Sequence, residues 1–365
     1  MDRTRIFYIT RANLSLKRAH SHNILKTVEA LSKKRDLDIT LVIAGKLIKD
    51  IKTICEENNI TDPKFRLEFI GGSPLAIARF LDKRRDDFDV LYTRELGLWL
   101  PIRKAKKLGK KIFFELHRIP IKVFERIEWQ IILKNIKGII AITNAMKNAL
   151  EAKQFPVEVA HCAAAEPELF DYALSKGVLR GKLNLPQDKF LVCSMGTFTL
   201  YHMESLYQGL ALSDKRISLV LLGAKDSEVE ELKSKFAQMN LSGRIIVRTR
   251  VPYRETPDYL LASDALVVPE GKNTPGFAPT KIYEYLAAGR PIISYKNEAI
   301  LEVLEDGKDA LLISDPTPQA WKNAFNRIIS DEELRNRLSK GAIQKAAMFG
   351  WQERAEIISR FVLNI

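Results

Sequence analysis

The stretch Pro269-Glu270-Gly271-Lys272-Asn273-Thr274-Pro275-Gly276-Phe277-Ala278-Pro279-Thr280-Lys281-Ile282-Tyr283-Glu284-Tyr285-Leu286-Ala287-Ala288-Gly289-Arg290-Pro291 carries more structural information than any other part of the chain. An apolar run enters a loop of glycine, proline and asparagine, and Pro279 then opens a helical pattern at the first-turn position that proline favours. Gly289 closes that helix and Pro291 starts the next apolar run. On a helical wheel Ile282, Tyr285 and Leu286 face inward, while Lys281 and Glu284, three apart, lie side by side on the other face. Lys281 falls in the first turn, where the helix dipole disfavours a cation by roughly 0.3–1 kcal/mol. An anion docked on the free N–H groups of the helix start would make sense of that placement, since such groups bind phosphate. Glu284, one turn on, could then accept hydrogen bonds from two sugar hydroxyls. A surface Lys–Glu pair worth about 0.2–0.5 kcal/mol accounts for the same residues equally well.

Outward from this stretch, short apolar runs alternate with amphipathic ones almost from end to end. Strands are predicted at 5–10, 39–44, 65–70, 90–93, 112–116 and 138–143, with helical periodicity between them, as at 19–34 and 96–108. A second set follows at 190–194, 218–222, 244–247, 265–268, 291–294 and 310–313. Strands too apolar to alternate, each followed by a helix, imply parallel sheets buried on both faces. Two such sets make two doubly wound α/β domains, 1–170 and 171–345, with the residues from 346 on forming a helix that crosses back to the first. Residues 332–361 read as two helices split near Gly350. Ligands in such sheets bind beyond the carboxyl ends of the strands, so the cleft between the two domains is the expected active site.

The chain has 365 residues, 46% hydrophobic and 28% charged, which excludes disordered and collagen-like classes. No apolar run approaches the ~20 residues that span a bilayer, and Met1-Asp2-Arg3-Thr4-Arg5 followed by Ile6-Phe7-Tyr8-Ile9 lacks a signal-peptide apolar region. Three scattered cysteines, Cys55, Cys162 and Cys193, form neither a disulfide framework nor a zinc site. These features favour the cytoplasm. The net charge is +13, and residues 1–170 hold 32 basic and 21 acidic residues, so almost all the excess sits in the first half. Either that half meets something anionic or the bias serves solubility. Asp36-Leu37-Asp38 mimics a metal-binding Asp-x-Asp but sits where a helix gives way to a strand, and reads as solvated turn carboxylates. No dinucleotide-binding, P-loop or nucleophile-elbow motif occurs.

The run from Pro279 to Ile293 resembles the donor-site signature of retaining glycosyltransferases of family 4, which have the GT-B architecture of two facing Rossmann-like domains. The resemblance continues through Ala299-Ile300-Leu301-Glu302-Val303-Leu304-Glu305-Asp306-Gly307 to the closing helices with Trp351, and upstream includes Thr256-Pro257-Asp258-Tyr259-Leu260-Leu261-Ala262-Ser263-Asp264-Ala265. It implies transfer of a sugar from a nucleoside-diphosphate donor with retention and without an obligatory metal or other cofactor. It gives Glu284 the donor ribose and places Lys281, with Thr280 and Ile282 at the helix start, near the diphosphate. The loop Gly276-Phe277-Ala278 would offer backbone N–H groups to the transferred sugar. Gly196 and Thr197 would approach the diphosphate, and Arg250 and Val251 would flank the base. The chain departs from the family pattern at Gly276, where a second glutamate is common, and at Thr199-Leu200-Tyr201-His202-Met203, where a basic residue is usual. His202 could substitute there. The family's glycine-rich N-terminal loop is also missing.

In place of that loop stands Arg11-Ala12-Asn13-Leu14-Ser15-Leu16-Lys17-Arg18-Ala19-His20-Ser21-His22, whose arginines could neutralise a leaving diphosphate. Arg11, Asn13, Arg18, His20 and Arg94 are thus candidates for the acceptor or phosphate side. His117 follows the predicted strand 112–116 and resembles the histidine that family members set beside the transferred sugar, there to orient it or stabilise developing charge. None of the five histidines has metal-ligand spacing. Trp99, Arg103, Lys106, Lys107 and Lys110 share one helical arc that suits an anionic membrane surface. Residues 121–136, with Phe124, Trp129, Ile131 and Ile132 among Lys122, Arg126 and Lys134, read either as a half-buried helix or as an insertion element. The leading expectation is a glycosyltransferase acting peripherally at the cytoplasmic membrane face on an anionic glycan or lipid-linked acceptor. A non-catalytic sugar-nucleotide-binding or activator subunit and a sugar-nucleotide epimerase are the alternatives. A nucleic-acid partner is not expected, since no basic–aromatic module appears.

Overall fold

The computed structural model describes residues 3–16, 19–60, 62–120, 122–151, 155–163, 167–271 and 279–365. The chain forms two units, Met1–Cys162 with Trp351–Ile365, and Ala163–Gly350. The first is built on β1 (Thr4–Thr10), β2 (Leu37–Ala44), β3 (Arg66–Ile70), β4 (Val90–Thr93), β5 (Lys111–Leu116), β6 (Gly138–Ala141) and β7 (Val157–Val159). These pair in the order β3-β2-β1-β4-β5-β6-β7, parallel throughout. The second contains β8 (Phe190–Met195), β9 (Ile217–Ala224), β10 (Ile245–Thr249), β11 (Ala265–Val268), β12 (Ile292–Tyr295) and β13 (Ala310–Ile313). Their order is β10-β9-β8-β11-β12-β13, again all parallel. Both are doubly wound Rossmann-like sheets, the build of GT-B proteins.

The apolar runs become strands because both faces of each sheet are covered. Ile6, Phe7, Tyr8 and Ile9 of β1 are at most 1% exposed, and Val192, Leu219, Val267, Ile293 and Trp321 form the heart of the second core. Twelve strands lie within two residues of the predicted runs, and β7 is the addition. It has three residues, too few to show a period, and follows Pro156. The 138–143 run ends at Ala141 because the Thr143 hydroxyl instead accepts the Met146 N–H at 3.1 Å, at the start of helix Asn144–Glu151.

The unit boundaries fall after Cys162 and Gly350, where sequence had suggested 170 and 345. Phe170 is buried and stacks on Tyr172, whose hydroxyl donates to the Ala287 carbonyl at 2.7 Å, so this segment packs with the second unit. Helix Glu332–Ala346 packs on helix Lys281–Ala288, also in the second unit. Helix Trp351–Asn364 instead lies against helix Ala19–Ser32 and β7, with Phe361 edge-on to Phe113. Among the described residues no helix is long and apolar enough to cross a membrane.

Candidate active site

In the second unit the strand order reverses between β8 and β11, the switch point at which open α/β sheets bind ligands. Gly196 follows β8, and Glu270 and Gly271 follow β11. A bridge between Tyr201 and Gly271 and a hydrogen bond from the His202 N–H to the Glu270 carbonyl (2.8 Å) tie the two loops together. Gly196 has φ +120°, a conformation that side chains disfavour, and a Cβ there would lie 3.5 Å from Lys281 Nζ. The glycine thus brings bare backbone beside the lysine.

Helix Lys281–Ala288 is buried along its whole length, so Lys281 and Glu284 are not a solvated surface pair. Lys281 is 5% exposed, and its Nζ makes no hydrogen bond among the described residues. Nζ sits 3.9 Å from the Tyr201 ring centroid, a cation–π contact. Burial lowers its pKa to about 7, with only the nearby Cys193 opposing. A buried ammonium without a carboxylate partner is costly unless an anion completes it. Glu284 accepts the Tyr253 hydroxyl on both carboxylate oxygens, at 2.7 and 2.8 Å. A carboxylate has about four lone-pair sites, so a diol can be accepted there as well.

Arg250 sends Nη2 to Thr197 Oγ1 at 3.4 Å. Its guanidinium thus reaches the loop after β8. It stands near the place that lacks the usual basic residue, whereas the expected substitute, His202, is exposed. Val251 is half-exposed. Thr280 occupies the N-cap position of the helix without a side-chain cap. Ile282 has its side chain fully buried in the core and its N–H donates to the Pro279 carbonyl, so it seats the helix start. Gly276, Phe277 and Ala278 lie outside the described residues.

In the first unit β5 delivers a fully buried carboxylate, Glu115. It accepts the Tyr92 hydroxyl at 2.6 Å and pairs with Arg354 Nη2 at 2.9 Å, and its Oε1 is bonded to His117 Nε2. Burial opposes the Glu115 charge, yet Arg354 foremost, then His117 and Arg94, hold its pKa well below the usual carboxylate range. Burial, followed by Arg94, lowers His117 to about 3 against the pull of Glu115. A neutral imidazole that donates Nε2–H to Glu115 leaves Nδ1 as an acceptor. It therefore suits a hydroxyl-orienting role and not donation to developing negative charge. Arg94 was expected on the acceptor side, but its side chain is 7% exposed and turns inward, 3.9 Å from Glu115. Asn13 likewise is used locally, its Oδ1 accepting the Ser15 N–H and its carbonyl the Ser21 hydroxyl. Arg11 is exposed, with Nη1 packed close over Gly97. His20 is exposed, 3.8 Å from Glu95, and Arg18 lies outside the described residues.

Residues 175–345 match the family model "Glycosyl transferases group 1". The second unit belongs to that family. A D-inositol 3-phosphate glycosyltransferase of Xylanimonas cellulosilytica is 28% identical over 187 residues, covering 50% of this chain and 44% of the relative. The chain thus spans less than half the length of that relative. Over its whole length the chain is similar in fold to HepE of Anabaena, solved with UDP and glucose (TM-score 0.82, 15% identity, 99% of this chain and 100% of that one). A sucrose-phosphate synthase of Thermosynechococcus elongatus is similar at TM-score 0.79 and 18% identity, with 99% of each chain covered.

For this group 1 domain, sequence reasoning missed Tyr201 and Tyr253, the aromatic partners of Lys281 and Glu284. It also missed the Glu115–Arg354–Tyr92 set in the first unit. Only the position of Glu115, two residues before His117 and so on the same face of an extended chain, signalled a link. Among the described residues no three His, Cys, Asp or Glu side chains are grouped to hold a metal.

Proposed function

We propose that the chain is a glycosyltransferase that moves a sugar from a nucleoside-diphosphate sugar to an acceptor hydroxyl with retention. The observation that carries this reading is the Lys281 ammonium, buried without a hydrogen-bond partner beside the bare backbone of Gly196. A diphosphate supplies the missing anion, and the charge that develops on it as the anomeric C–O bond breaks is the charge such a site stabilises. Arg250 adds a second cation from the Thr197 side. Glu284 takes the ribose hydroxyls, and the loop 276–278 and Arg11 with Arg18 are assigned to the sugar and leaving-phosphate sides. The acceptor oxygen bonds to the anomeric carbon on the face that the diphosphate leaves, and its proton passes to the departing phosphate oxygen. His117, through Nδ1, orients a hydroxyl of the transferred sugar or of the acceptor. No metal is required for any of these steps. The group 1 match supports transfer over the epimerase and non-catalytic readings.

The acceptor is assigned as an anionic glycan or lipid-linked molecule at a cytoplasmic membrane face, a choice supported by the basic excess of residues 1–170. The test is turnover of the purified chain with UDP-, GDP- and ADP-sugars, the product's anomeric configuration being read by NMR. Glu284→Ala and His117→Ala are expected to lower turnover strongly while the protein stays folded. Near-wild-type turnover in both variants would remove these residues from the reaction.

A further inference from the structure

Helix Val123–Leu133 presents two apolar faces. Trp129, Ile132 and Leu133, at 4%, 0% and 3% exposure, turn into the first unit, which settles the half-buried reading for that side. Val123, Phe124 and Ile127 point the other way, exposed to 71%, 82% and 55%. At 100° per residue these three fall within one arc opposite the buried one, where a helix on an ordinary soluble surface is polar. Phe124 is the most exposed large apolar side chain among the described residues.

Most of the exposed charges around this ridge are basic. Lys122 at the N-cap, Arg126 and Lys134 are exposed beside it. The neighbouring helix Trp99–Lys107 packs against it and adds exposed Arg103, Lys106 and Lys107 with no acidic residue. Of the two acids on the ridge helix, Glu128 is half-buried and Glu125 is held by Arg118 in a two-point pair at 2.7 and 2.8 Å. An apolar ridge flanked by predominantly basic side chains is complementary to a surface with a negative skin and an apolar interior. We infer that helix Val123–Leu133 is a docking wedge for an anionic lipid bilayer, with Phe124 and Ile127 entering the acyl boundary and the flanking lysines and arginines facing the headgroups.

This deepens the acceptor side of the proposed function, from which it takes the lipid surface, and it is independent of donor binding. The test is co-sedimentation of the full chain with phosphatidylcholine vesicles, with and without phosphatidylglycerol. Wild type is expected on the anionic vesicles only, and less at high salt. Phe124→Glu and Ile127→Glu are each expected to weaken partitioning at least about tenfold. Lys122→Gln and Arg126→Gln should weaken it about fivefold apiece, and Leu301→Glu, at an exposed site in the second unit, should not. Phe124→Trp should show a blue-shifted emission on the anionic vesicles. No binding to anionic vesicles, or binding untouched by Phe124→Glu and Ile127→Glu, overturns the inference. So does self-association that Phe124→Glu abolishes, since the ridge would then seat a second copy. Thermal stabilisation by UDP in Phe124→Glu reports separately on the donor site.

Discussion

Nucleotide binding to the second unit should be linked to proton uptake by one side chain, Lys281. An ordinary lysine titrates near 10.5, and burial brings this one to about 7. At roughly 1.4 kcal/mol per pH unit, that difference corresponds to about 5 kcal/mol against burying the charge. The unfolded chain keeps the proton up to pH 10.5 and the folded one loses it above 7. The empty protein therefore binds fewer protons than the unfolded chain in that window, and this lysine's contribution to stability rises with pH across it. A bound diphosphate reverses the preference, because its negative charge returns Nζ toward the ordinary value. Binding above pH 7 then takes up a proton. The charged fraction beforehand is about one half at pH 7, one in eleven at pH 8 and one in a hundred at pH 9, so affinity should fall about fiftyfold from pH 7 to 9. The free nucleotide keeps a constant charge there, its last phosphate pKa being about 6. Calorimetry of UDP, GDP and ADP in buffers of different ionisation enthalpy measures both quantities. Proton uptake should climb from near zero at pH 6 toward one at pH 9. Lys281→Met should bind more weakly at pH 7, lose the pH slope, and be more stable than wild type when empty. A dissociation constant flat from pH 7 to 9, with no proton uptake, would refute the reasoning.

Other residues make equally concrete predictions. Glu284→Gln keeps the shape and loses the charge, so UDP affinity should fall about ten- to hundredfold, the worth of a hydrogen bond to a charged group, while Tyr253→Phe changes it only a few-fold. Calorimetry at fixed pH decides, and equal effects from both variants would count against a ribose at Glu284. Arg354→Met leaves Glu115 buried without its main partner, a loss of about 3–5 kcal/mol. That should lower the melting temperature of the first unit by about 10 °C, with partial rescue by Arg354→Lys. His22 and His117 both titrate near 3 in the fold and near 6.5 when unfolded. The unfolded chain takes up these protons first, so stability should drop by about 1.4 kcal/mol per pH unit for each histidine as pH falls below 6.5. Denaturant midpoints at pH 7 and 5.5 check this, and His22→Phe should flatten the profile.

The fold was legible because burial on both faces of a parallel sheet leaves long apolar runs with no alternation, and those runs survive in the sequence even where strand ends shift. Lys281 and Glu284 were legible as a pair because a helix start is marked by Pro279 and Gly289. Their environment was not. Nothing in a helical wheel tells that the polar face of that helix is covered, since the cover comes from Tyr201 and Tyr253 on loops after other strands. The contact of Arg250 with Thr197 was hidden for the same reason: a strand-end arginine can reach either neighbour, and only the backbone beyond β10 aims it there. For residues 121–136 the apolar pattern was visible, but periodicity cannot say which apolar arc faces the core when both are apolar.

Arg354 illustrates why the strand-end chemistry of the first unit depends on a helix distant in sequence. Glu115 at 1% exposure could not stay ionised on the strength of His117, whose own imidazole is kept neutral. The charge is held by Arg354, whose guanidinium is itself fixed by the carbonyls of Ala160 and His161. With Glu115 ionised, the Nε2 proton of His117 has a set acceptor, and the tautomer follows. Burial and Arg94 keep the imidazole neutral, and helix Trp351–Asn364, by holding Glu115 charged, fixes which of its nitrogens carries the proton. The prediction is specific to orientation. Arg354→Lys should leave the second unit's UDP affinity unchanged and lower kcat without raising KM for the donor, whereas a purely structural role for Arg354 would move stability alone.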